Sequence, residues 1–147
     1  MDRLQLRARK LHPDAQLPRF SHGPEEDAGM DLVSVEQVTL VPGERYAVAT
    51  GLAIEIPTGF EGQVRPRSGL ALKHGIGLLN APGTIDPGYR GEVKVILMNY
   101  SDTEFVIRPG DRIAQLVIGA YAAVEWEVAE SLEESARAAR GVGSTGA

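Results

Sequence analysis

Residues 77–99, GLLNAPGTIDPGYRGEVKVILMN, contain two apolar segments and two Pro-Gly pairs (Pro82-Gly83 and Pro87-Gly88), and between those pairs stands a single carboxylate, Asp86. Pro-Gly pairs mark tight turns, because proline presets one dihedral angle and glycine tolerates the left-handed region. A carboxylate pinned in this way beside Tyr89 and Arg90 has no evident place in a core, so Asp86 is read as the chemical centre. On its own it suits a general base, a metal ligand or a plain turn-former, and the turn-former is the simplest of the three.

Outward from this stretch, short apolar segments recur with turn signals between them. Leu4, Leu6 and Ala8 alternate with Gln5, Arg7 and Arg9, the period of a half-buried strand. A loop with Pro13, Pro18, Gly23, Pro24 and the acidic run Glu25-Glu26-Asp27 delivers Ala28-Gly29-Met30-Asp31-Leu32. Strands are expected over residues 38–41, 46–56 with a break at Gly51, 60–65, 105–107 and 113–118, and at Val124, Trp126 and Val128 in alternation. Residues 68–74 and 130–140 have helix-favouring composition, and Ser68 is placed to be the N-cap of the first, which Gly75 and Gly77 end. This is the pattern of an all-β sandwich or barrel with one short helix. One domain over residues 1–129 and a mobile C-terminal arm over 130–147 are expected, since GVGSTGA cannot pack a core.

Composition narrows the chemistry. A chain of 147 residues fits one domain large enough to fold without staples. With no cysteine it has no disulfide, zinc-thiolate site or thiol nucleophile, which is consistent with a cytoplasmic location. The N-terminal MDRLQLRARK reads as neither a signal peptide nor a membrane span. A net charge of −5 argues against binding long nucleic acid through a general basic field. Within residues 60–95, however, five basic residues meet three acidic ones, and this local +2 leaves −7 for the rest of the chain. Such a region suits a small anion, although ordinary scatter of surface charge explains it equally well.

Arg67, Ser68 and Gly69 open the short helical segment, and helix starts with an adjacent guanidinium bind phosphate; the alternative is a plain helix start with a surface arginine. Asp111, in Arg108-Pro109-Gly110-Asp111-Arg112, reads as structural, and His12, His22 and His74 show no ligand spacing. The pieces gain meaning together. Ala28-Gly29-Met30-Asp31-Leu32, Pro66-Arg67-Ser68-Gly69-Leu70-Ala71, Gly83-Thr84-Ile85-Asp86 with Tyr89-Arg90-Gly91-Glu92, Gly110-Asp111-Arg112-Ile113-Ala114-Gln115 and Gly143-Ser144-Thr145-Gly146 follow in that order. The set resembles the five motifs of the trimeric dUTP pyrophosphatase (dUTPase) family, over nearly the whole chain.

The resemblance implies a jelly-roll-like β-sandwich, a homotrimer with active sites shared between chains, and hydrolysis of dUTP to dUMP and pyrophosphate, which limits uracil in DNA and supplies dUMP for dTMP synthesis. By the same resemblance Asp86 activates the water that attacks the α-phosphorus, and Tyr89 packs on the deoxyribose where a 2′-hydroxyl would sit. Asn80 and the backbone of Gly83, Thr84 and Ile85 read uracil, and Lys94 borders the substrate. Arg67, Ser68, Gly69 and Gln115 hold phosphates, Arg137, Ser144 and Thr145 belong to the arm, and Asp31 meets Mg²⁺ through water while the triphosphate ligates the ion.

The arm departs from the pattern. The family motif reads Arg-Gly-x-Gly-Gly-Phe-Gly-Ser-Thr-Gly, and a gap-free alignment places Arg137 on its arginine and Val142 on its uracil-stacking phenylalanine. A gapped alignment uses Arg140 instead. Two alternatives share the fold: a dCTP deaminase-like enzyme, disfavoured because residues 94–98 carry no acid, and a non-catalytic trimeric nucleotide-binding or regulatory protein.

Overall fold

The second half of the opening stretch forms the strand Glu92–Asn99, whose Val93, Val95, Leu97 and Asn99 are buried while Lys94 is exposed. A computed structural model describes residues 1–146. Ten strands and one helix follow in order: β1 (Arg7–Lys10), β2 (Met30–Val33), β3 (Val38–Leu40), β4 (Arg45–Glu55), β5 (Phe60–Arg65), α1 (Ser68–His74), β6 (Ile76–Leu78), β7 (Gly83–Ile85), β8 (Glu92–Asn99), β9 (Phe105–Ile107) and β10 (Arg112–Ala120). Antiparallel pairing builds sheets ordered β1-β4-β8-β6 and β2-β10-β5-β7, with β3-β9 as a small third. Leu32, Val64, Ile85 and Leu116 from one large sheet and Val48, Leu52, Val95 and Leu97 from the other belong to one buried cluster. The result is a β-sandwich, as the strand spacing predicts, of the jelly-roll-like type that the family resemblance implies.

Two polar devices shape the sheets. Buried Asn99 donates to the Leu40 and Thr103 carbonyls at 2.9 and 2.8 Å and accepts from the Ser101 amide and hydroxyl, so every burial cost is met while β8 is tied to β3. In the β4–β8 ladder the register shifts between Ala49 and Ala53. Gly51 sits there at φ 70°, its amide donating to Glu92 Oε2 at 3.0 Å, and a Cβ would lie 2.8 Å from the His12 Cβ. Only glycine suits that backbone at that distance.

The structure corrects several expectations at the ends of the chain and at the helix. The first strand begins at Arg7, about three residues later than the alternation suggests, and lies exposed at a sheet edge. The loop after it delivers Ala28-Gly29 to a further strand, Met30 to Val33, which pairs with β10 and is not among the expected ones. The N-cap of α1 is Arg67, in extended conformation and without a side-chain capping bond, so Ser68 is the first helical residue. Gly75 alone ends the helix, at φ 63°, and Gly77 belongs to β6. Val124, Trp126 and Val128 form no strand, and residues 130–140 no helix. A strand exists only when paired, and this segment pairs with no sheet edge of the chain: Trp126 is 91% exposed and Val128 99%. Eleven residues without a packed apolar face fall short of the length at which an isolated helix holds.

Candidate functional site

Two clefts collect the residues singled out from the sequence, and they share no lining residue. The first, of about 370 Å³, is lined by Asn80, Gly83, Thr84, Ile85, Asp86, Tyr89 and Lys94 over an apolar floor that includes Val64, Leu78 and Ile96. Its wall is β7, which pairs with β5 through Gly62↔Ile85 and Val64↔Gly83 and is the last strand of its sheet. An edge strand leaves one side of its backbone without ladder bonds, free to bond a ligand. Asn80 Nδ2 stands 3.3 Å from where a Cβ on Gly83 would lie, so the glycine admits that close approach.

Directly after β7 the chain turns, closed by the Tyr89 amide donating to the Asp86 carbonyl at 3.1 Å. Asp86 is exposed at the cleft. The Tyr89 hydroxyl donates to the Glu92 carbonyl at 2.7 Å, and its ring covers Gly91 so closely that any Cβ there would fall within 3 Å of it. The ring is thus fixed at both ends. Sequence reasoning gives Glu92 no role of its own, yet it joins this cleft to the β4 bulge through Gly51; its carboxylate carries no motif signal apart from the turn it follows.

The second cleft, of about 360 Å³, is polar and is lined by Asp31, Arg67, Ser68, Gly69 and Gln115. Asp31, on β2, is the hub. Arg67 Nε lies 3.5 Å from one carboxylate oxygen and Arg112 Nη1 3.7 Å from the other, which also accepts the Ser21 hydroxyl at 2.8 Å. Arg67 Nη1 further donates to the Arg112 carbonyl at 3.2 Å. Gln115, opposite Asp31 in the β2–β10 ladder, donates to the Pro66 carbonyl at 3.0 Å, and its side-chain oxygen fills the space that a Cβ on Gly29 would need. The guanidinium is therefore held in place before any ligand arrives, and less freedom remains to be lost on binding.

The loop before β2 forms the other side of this cleft through Ser21, His22 and Asp27. Asp27 accepts from the His22 amide at 2.6 Å and faces its ring nitrogen at 3.1 Å. These bonds, the amide's first, hold the Asp27 carboxyl below its ordinary value. In the sequence this loop is only an acidic run, because it has no periodicity to betray a site.

Within one chain the clefts stand apart. The register sets Gly62 beside Ile85, hence Glu61 near Asp86. Arg67 is six residues further along, about 20 Å at strand rise. Arg137, Ser144 and Thr145 are exposed and line neither cleft; Arg137 instead donates to the Arg140 carbonyl at 2.7 Å. Among the described residues no group of three or more His, Cys, Asp or Glu side chains is placed to hold a metal ion. Asp31 faces two arginines and shares its cleft with Glu26 and Asp27, so a cation carried by a bound ligand could meet a carboxylate there through its water shell.

The dUTPase family model matches residues 15–146. A deoxyuridine 5'-triphosphate nucleotidohydrolase of Solibacter usitatus is 58% identical over 98% of this chain and 97% of its own. The structure is similar to a Staphylococcus bacteriophage 80alpha dUTPase with dUPNHPP, a dUTP analogue, at TM-score 0.89 and 30% identity over 97% of this chain and 99% of that one. It is also similar to a mutant dUTPase of phage phi11 of S. aureus that coordinates a structural Mg(II) ion, at TM-score 0.82 and 28% identity over 89% of this chain and 100% of that one.

Proposed function

This chain belongs to the dUTPase family and hydrolyses dUTP, and we propose that it does so by water attack on the α-phosphorus, with Asp86 as the base. The observation that carries this reading is the direct continuity of β7 with the Asp86–Tyr89 turn, which puts an edge backbone, a carboxylate and an aromatic ring in one cleft. Uracil bonds Asn80 and the free backbone of Gly83, Thr84 and Ile85. Cytosine exchanges an acceptor for a donor, leaves buried groups unpaired and is rejected. Tyr89 lies against the deoxyribose and leaves no room for a 2′-hydroxyl, and Lys94 borders the substrate. Asp86 takes the proton of the attacking water, the bond from the α-phosphorus to the bridging oxygen breaks, and dUMP and pyrophosphate leave.

The phosphates are held by Arg67, Ser68, Gly69 and Gln115 of a neighbouring chain in a homotrimer. The distance of Asp86 from Arg67 along β5 supports that sharing. Asp31 would meet a triphosphate-borne Mg²⁺ through water, and the ion would supply charge neutralisation there. The arm is residues 130–147, of which Ala147 lies outside the described residues, and it brings Arg137, Ser144 and Thr145 over the substrate. A cytoplasmic site of action is part of this proposal; among the described residues no helix is long and apolar enough to cross a membrane.

The test is pyrophosphate release from dUTP with Mg²⁺, comparing the wild type with Asp86→Asn beside dTTP, dCTP and UTP. The variant is expected to lose about 10²- to 10⁴-fold in rate. Equal rates for the two proteins, or ammonia release from dCTP, overturn the assignment.

A further inference from the structure

The turn that carries Asp86 and Tyr89 has little packed against it. Asp86, Gly88 and Tyr89 are exposed and Pro87 is half-buried. Its own hydrogen bond, Tyr89 amide to Asp86 carbonyl, closes the turn but does not set its tilt on the sheet. The constraint comes from behind. Arg90 Nη1 donates to the Pro87 carbonyl at 2.6 Å and to the Tyr89 carbonyl at 3.0 Å, while Nη2 lies 3.4 Å from Glu55 Oε1. Glu55 ends β4, a strand paired on both sides, so the carboxylate stands on a fixed element. Arg90 lies in a separate depression with Arg9, Ile54 and Glu55, and it does not line the cleft of Asp86.

We infer that Arg90, oriented by Glu55, is a positioning residue: by binding the Pro87 and Tyr89 carbonyls it sets where the Asp86 carboxylate and the Tyr89 ring stand in the cleft. The inference rests on the assignment of Asp86 as base and Tyr89 as the sugar gauge. A planar guanidinium has five donors in a fixed fork and can bond two carbonyls and a carboxylate together. An ammonium has the charge but not the fork, so lysine reproduces the arrangement only in part. Tyr89 keeps a second anchor, its hydroxyl on the Glu92 carbonyl. Without Arg90 the ring therefore pivots about that anchor and does not leave the cleft, which alters sugar discrimination as well as rate. Arg7 also approaches Glu55, at 3.6 Å, but it bonds nothing in the turn and serves as the control.

Steady-state kinetics with dUTP and UTP, together with Tm, on Arg90→Ala, Arg90→Lys, Glu55→Gln, Arg7→Ala and Asp86→Asn test this. Arg90→Ala is expected to lower kcat for dUTP by up to about 10²-fold, the scale of a catalytic group misplaced by about 1 Å. It should also reduce the preference for dUTP over UTP. Arg90→Lys should recover part of both, Glu55→Gln should shift both in the same direction by less, and Arg7→Ala should match the wild type. If Arg90→Ala does not fold, Arg90→Lys and Glu55→Gln carry the test. A lower Tm with kcat per folded enzyme and the dUTP to UTP ratio unchanged would mean that Arg90 only stabilises the fold, and the inference would be wrong. Wild-type activity in Asp86→Asn would instead overturn the site assignment itself, so the two failures are distinguishable.

Discussion

The two clefts are organised by different means. The Asp86 cleft is made by backbone: an edge strand, a closed turn and a tyrosine tied to a carbonyl, with glycines where side chains would intrude. The Arg67 cleft is made by charge, with Asp31 facing two guanidiniums and Asp27 bonded to His22. Backbone suits the reading of a flat base, because its donors and acceptors alternate at fixed spacing. Preset charge suits a polyanion, because a guanidinium already oriented by a carboxylate has less freedom to lose on binding. One chain holds both devices in separate clefts that share no lining residue.

That division can be broken most sharply by mixing. Asp86→Asn and Arg67→Ala are each expected to be nearly inactive as purified proteins, while co-expression should restore activity. If chains mix at random in a closed trimer with each site shared by two neighbours, about a quarter of the sites have both native residues. No recovery in mixed trimers, shown by light scattering to have formed, would mean that the two clefts do not complete each other across chains.

A smaller effect concerns the arm. Val142 is fully exposed and stands, in the gap-free alignment, where the family has its stacking phenylalanine. Val142→Phe should lower the KM for dUTP by about threefold to tenfold, the worth of one aromatic contact. Unchanged KM and kcat would show that the arm closes without stacking in this chain.

The smallest effect probes the loop of the charged cleft. The Asp27 carboxyl is lowered mainly by the His22 amide. A lowered carboxyl contributes stability above its ordinary value and loses it as pH falls through the lowered one. Asp27→Asn should therefore reduce Tm slightly at neutral pH, and the difference should vanish in acid. A Tm difference that grows towards acid pH would contradict this sign.

Much of the molecule is legible in the sequence where the signal is local. β5 and β9 match their expected bounds, since each is a short segment closed by turn residues, Pro57-Thr58-Gly59 before the first and Pro109-Gly110 after the second. Gly51, the expected break, is a bulge at positive φ. Ser68 misleads because a serine before a helical run suggests a cap, yet the cap position is decided by where the backbone leaves the extended region, one residue earlier. Val124, Trp126 and Val128 mislead for the opposite reason: their alternation is that of a strand, but a strand exists only when paired.

The sequence by itself determined the motifs, their order, the turn that isolates Asp86 and the strand periodicity, because these depend on residues a few positions apart. Only the tertiary structure decided that Asp31 meets Arg67 and Arg112, that Arg90 braces the turn from Glu55, and that the two clefts lie apart. Those facts depend on ladder register between strands distant in the chain. A shift of one residue would exchange the two faces of every strand involved, and no local pattern specifies that choice.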